Sequence, residues 1–150
     1  MLLPTLTGWR SQYERMKRSY ARVTASYASS VAFEDDLHHF MQDCWHLKDW
    51  IKNDPSSGVG ASIEAHTSAY KSLRIAADLA NGSKHMVRHT SREGAHVTSS
   101  GVTVHLGQSK PIEVECIVTL GDGTNLPVQT VVHEAFADWN ALLTKLGLNP

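Results

Sequence analysis

A chain of 150 residues with 41% hydrophobic content, four tryptophans and a formal net charge of −1 can build one ordinary core, burying about two thirds of its unfolded surface. This composition excludes a disordered tail and a strongly basic nucleic-acid binder, and the fold calls for no cofactor, metal or disulfide. The opening Met-Leu-Leu-Pro is too short for a signal peptide and no apolar run reaches about 18 residues. The expectation is a cytoplasmic protein with no membrane contact.

The first helix is expected from near Thr7. Trp9, Tyr13, Met16, Tyr20, Val23 and Tyr27 recur at alternating spacings of four and three, a narrow heptad-like seam. Arg10, Arg15, Lys17, Arg18 and Arg22 decorate the same helix. They suit either a phosphate-binding face or a solvated face that complements an acidic neighbour, and the second reading is preferred. That neighbour is the next helix, since Glu34 to Asp54 holds six acids against Lys48 and Lys52.

The second helix, Asp36–Asn53, is the element around which the chain is expected to pack. Leu37, Phe40, Met41, Cys44, Leu47 and Ile51 form one stripe at core-facing spacing. His39, Asp43, His46 and Trp50 form another, almost opposite, which suggests a helix sandwiched between neighbours. Glu34, Asp35 and Asp36 are expected in its first turn, where the helix dipole favours negative charge. Asn53-Asp54-Pro55-Ser56-Ser57-Gly58 then stops it. A third helix from about Ser62 carries Ile63, His66, Tyr70, Leu73, Ala77 and Ala80 on one stripe and is expected to end at Asn81-Gly82. His66 reads there as a hydrogen-bonded core histidine.

After Gly82 the period changes to two. Val102, Val104 and Leu106 face Ile112, Val114 and Cys116 in an expected hairpin that pairs Leu106 with Ile112, Val104 with Val114 and Val102 with Cys116. The polar face then sets His105 opposite Glu113 and Thr103 opposite Glu115. A further strand or two is expected within Lys84–His96, and Leu126-Pro127-Val128 can only be an edge piece, because proline lacks a ladder donor. A last helix from about Thr130 to Leu146 carries Val132, Ala135, Phe136, Trp139, Leu142, Leu143 and Leu146. The expected fold is mainly α (α+β): one domain over residues 1–150, a bundle of about four helices, with a small antiparallel sheet inserted at about 84–128 before the last helix. Cys44 and Cys116 both fall on apolar faces and read as small core residues.

No Gly-rich phosphate loop, Cys-x-x-Cys pair, His-Glu-x-x-His or Gly-x-Ser-x-Gly occurs in the sequence. Nine histidines leave two groupings to weigh. His39, Asp43 and His46 are weak metal candidates, because positions i, i+4 and i+7 of one helix span about two turns and converge poorly on one ion. Polar packing is the preferred reading. Lys84, His85, Arg88, His89, Arg92 and His96 form the most cationic stretch. There Lys84, Arg88 and Arg92 are candidate phosphate contacts, while His85, His89, His96 and Arg88 are candidates for acid/base cleavage of RNA.

Two stretches, CWHLKDWIKND (Cys44–Asp54) and DLANGSKH (Asp78–His85), resemble a motif pair found in a small group of bacterial and phage helical proteins. More loosely the chain resembles the HEPN superfamily, helical bundles of defence and toxin–antitoxin systems that frequently cleave RNA. The resemblance implies a HEPN-like helical fold. HEPN nucleases also carry an Arg followed after four to six residues by a His, and no Arg here has a His at that distance; Arg88 and His96 have seven residues between them. The expected function is accordingly a HEPN-like binding or regulatory module that contacts RNA without established catalysis. The alternatives are a ribonuclease of a defence or toxin–antitoxin system and a purely structural or oligomerisation protein. Trp9, Tyr13 and Trp50 exceed what one small core obviously needs, so a homodimer through these helical faces is expected.

Overall fold

The computed structural model describes residues 8–26, 30–84, 93–103 and 113–150. Helix α1 (Trp9–Ala25) runs antiparallel to α2 (Ser30–Asn53), with its N-terminus beside the C-terminus of α2. Trp9, Tyr13, Met16 and Val23 of the expected seam are buried, together with Gln12 and Ser19, and Tyr20 is half-buried. The expected cap Thr7 and the last seam residue Tyr27 lie outside the described residues. Gly8 occupies the N-cap position instead, and the Trp9 N–H donates to Asp54 Oδ2 at 3.0 Å.

Helix α2 is the centre of the molecule, touching α1 and the three later helices. Every residue of its expected apolar stripe, Leu37 to Ile51, is buried. The helix begins earlier than expected, at Ser30, so Glu34–Asp36 lie beyond its first turn and do not serve the helix dipole there. Phe33, fully buried, explains the earlier start: one more turn of helix brings a large apolar side chain into the core. Asp54 ends the helix by accepting from the Ser56 backbone N–H, and a 3₁₀ turn, Pro55–Ser57, follows with Gly58 left-handed behind it.

The expected third helix is two: α3 (Ile63–Ser68) and α4 (Lys71–Lys84). Arg74 Nη1 donates to the Ser68 carbonyl at 2.7 Å, satisfying an acceptor that the break exposes. Asn81-Gly82 does not end α4, which continues to Lys84. A glycine in a helix costs about 1 kcal/mol relative to alanine, and here burial of Ile75, Ala76, Leu79 and Ala80 along the same helix outweighs it. His66 is half-buried on α3 rather than enclosed in the core.

Strands β1 (His96–Thr103), β2 (Glu113–Thr119) and β3 (Asn125–Pro127) form an antiparallel sheet in that order. Of the expected strand at Lys84–His96, residues 85–92 lie outside the described residues, and His96 begins β1. Val102 pairs with Val114, Ser100 with Cys116 and Thr103 with Glu113. This is a two-residue slip from the expected register, and Thr103 faces Glu113 rather than Glu115. Such a slip leaves every side chain on the same face, so alternation alone cannot choose between the two. A bulge between Val97 and Ser99 shifts the pairing again toward the strand's start. Val104, His105, Leu106 and Ile112 lie outside the described residues. Proline sits on the edge strand as expected, with Pro127 paired to Ile117.

Helix α5 (Val128–Lys145) starts directly after β3, two residues before its expected start, and closes the core on α4, α2, α1 and β2. Trp139 is buried and donates from Nε1 to the Cys44 carbonyl at 3.0 Å, tying the last helix to the middle of α2. Cys44 and Cys116 are buried free thiols, and burial pushes both upward in pKa, Cys44 strongly. The result is a mainly helical bundle with a small antiparallel sheet ahead of the last helix. Among the described residues no helix is long and apolar enough to cross a membrane.

Candidate functional site at the end of α1 and α2

The sequence CWHLKDWIKND divides by helical period into two sets. Cys44, Leu47 and Ile51 enter the core, His46 and Lys52 are exposed, and Trp45 and Trp50 pack half-buried against the core's edge. Lys48 is nearly buried: its Nζ lies 2.7 Å from Asp49 Oδ1, 3.6 Å from Glu64 Oε1 and 4.2 Å from the Trp45 ring centroid. Lys52 adds a second pairing to Glu64 at 3.2 Å, so α2 and α3 are joined by a two-lysine clamp. Lys52 and the serine-rich turn have left Asp49, Trp50, Asn53, Asp54 and Pro55 to form the wall of a cleft of about 430 Å³, completed by Gly8 from the start of α1.

Asp54 organises this cleft. Its Oδ2 accepts from the Trp9 N–H at 3.0 Å, and its Oδ1 accepts from the Ser56 N–H at 2.9 Å and the Ser56 hydroxyl at 2.7 Å. The Ser56 hydroxyl first, then the Trp9 and Ser56 amides, hold its carboxyl below the usual carboxylate range. Gly8 has φ 96°, and a Cβ there would lie 3.1 Å from Asp54 Oδ2, so the approach of the two helix ends favours glycine twice over. Trp50 is half-buried, with the Arg15 guanidinium 5.7 Å from its ring centroid.

The residues proposed from sequence are distributed differently. His39 and His46 are exposed, while Asp43 is half-buried and receives Gln12 Nε2 on its backbone oxygen at 3.1 Å. Among the described residues no group of three or more His, Cys, Asp or Glu side chains is placed to hold a metal ion. Only Trp50 of that stripe belongs to the cleft. Trp9 and Tyr13 are 0% and 7% exposed, so they are core residues and not interface anchors; Tyr13 donates its hydroxyl to Asn140 Oδ1 at 2.7 Å. Of the cationic stretch, Lys84 ends α4, and His85, Arg88, His89 and Arg92 lie outside the described residues. His96 is exposed and donates from Nδ1 to the Gly94 carbonyl at 3.0 Å.

Two residues that sequence reasoning passed over carry the geometry here. Asp78, with no exposed surface, accepts at Oδ2 from the Glu93 N–H at 2.6 Å and the Ala95 N–H at 3.3 Å. Arg74 adds a 2.7 Å ion pair to Glu93, and Gly121 N–H donates to the Glu93 carbonyl at 2.7 Å. Gly94, with φ 63°, lets this segment pass Gly121, where a Cβ would come within 2.8 Å. An aspartate among the apolar residues Ile75, Ala76 and Leu79 was the available signal. For Asp54 it was the Asp-Pro-Ser turn sequence itself.

Comparison of the chain with protein families, with curated proteins and with solved structures finds no match. The reading of the site rests on the chemistry of its own residues.

Proposed function

We propose that this chain is a HEPN-like helical binding module of the cytoplasm that contacts RNA through the cationic stretch Lys84–Arg92 and does not cleave it. The observation that carries the reading is the anchorage of that stretch. Both its flanks are held by one helix: Lys84 ends α4, and at Glu93–Ala95 the buried Asp78 and the Arg74 ion pair hold the backbone against α4. On the rival cationic surface, α1, four of the five basic side chains have partners. Lys17 pairs with Glu14, Arg22 approaches Asp36 at 3.9 Å, Arg15 donates to Gln12 beside Trp50, and Arg10 donates to the Asn149 carbonyl.

Phosphate contacts by Lys84, Arg88 and Arg92 would make binding fall steeply with salt, each contact contributing about 0.7 to the log–log slope on a single strand. Fluorescence anisotropy with mixed single-stranded RNAs is expected to show weak binding at low salt. Joint replacement of Lys84, Arg88 and Arg92 by Ala should reduce both the affinity and that slope, and gels of the same mixtures should show intact RNA. Cleavage abolished by His85→Ala or His89→Ala would establish the ribonuclease reading instead. Absence of binding even at low salt would leave a structural role.

A further inference from the structure

We draw no further inference here: the strongest candidate, the indole N–H of Trp9, buried at the start of α1 with no hydrogen-bond partner among the described residues, lies outside the lining of the cleft at that helix end, and nothing in the structure shows a ligand for it to meet.

Discussion

Asp54, just past the end of α2, and Asp78, within α4, perform the same act. Each carboxylate accepts backbone N–H groups from a segment distant in sequence, Trp9 for one and Glu93 with Ala95 for the other. They differ in what surrounds them. Asp78 has no exposed surface and is walled by the buried residues of α4, so its bonds close a seam and offer nothing to solvent. Asp54 stands at a partly open helix junction, and the same kind of bonding leaves oxygen capacity facing a cleft. A backbone-binding aspartate becomes a clamp or the wall of a site according to its exposure, not its chemistry.

The largest effect that separates the two should come from Asp78→Ala. Two amides lose their acceptor inside the protein, and each buried unsatisfied group costs about 1–3 kcal/mol. Destabilisation of about 3 kcal/mol or more is expected in urea titrations, with Tm falling by roughly 6–12 °C. Asp78→Asn keeps an oxygen for the amides and should lose distinctly less. Equal losses for both variants would show that the carboxylate's charge, rather than its acceptor role, closes the seam.

A smaller effect is expected at the pair that backs Asp78. The Arg74–Glu93 contact is 2.7 Å long and its side chains are 29% and 22% exposed, so solvent screens it only in part. A coupling of about 1 kcal/mol in a double-mutant cycle with Arg74→Ala and Glu93→Ala fits such a pair. Arg74→Ala alone should cost somewhat more, because the Ser68 carbonyl at the α3–α4 break also loses its donor. Coupling near zero would mean that Asp78 alone pins the segment.

How much of this was legible in the sequence depends on which interactions have a period. The α2 stripe from Leu37 to Ile51 was read residue for residue, because a helix packed on several sides repeats its core contacts every three or four positions. The pairing of the two strands was read, but to a register two residues away, since a slip of two leaves the alternating pattern unchanged. The break between α3 and α4 and the continuation through Gly82 are set by Arg74 and by core packing, both of which outvote local propensity. At the candidate site, Trp50 stood out in advance. Gly8 and the Trp9 amide did not, because a bond between residues 45 apart leaves no local trace. Trp9 and Tyr13 were misassigned to a surface because a seam of aromatics looks the same whether another helix of the same chain or a second subunit covers it.

The smallest effect is expected at Asp54, and it depends on pH. Asparagine is about as good as aspartate at a helix-capping position, but it has one acceptor oxygen where Asp54 uses two, so Asp54→Asn should keep the Ser56 bond and lose both the Trp9 bond and the charge, of which only the charge depends on pH. The folded protein holds this carboxyl below its ordinary value, chiefly through the Ser56 hydroxyl and the Trp9 amide. A folded value lower than the unfolded one, about 3.9, means that ionisation stabilises the fold. That contribution is complete above the unfolded value and is lost as pH falls through the folded one. Wild-type protein should therefore melt slightly above the Asn variant at pH 7, with the gap narrowing below about pH 4. Glu64, beside Lys52, and Asp122, bonded by Thr124, are lowered in the same direction and will make both proteins less stable in acid. Because they act equally on both proteins, the difference between the two melting curves isolates Asp54. A gap that stays constant down to pH 2.5 would show that the charge contributes nothing, and the two aspartates would then differ in exposure but not in the state that does the holding.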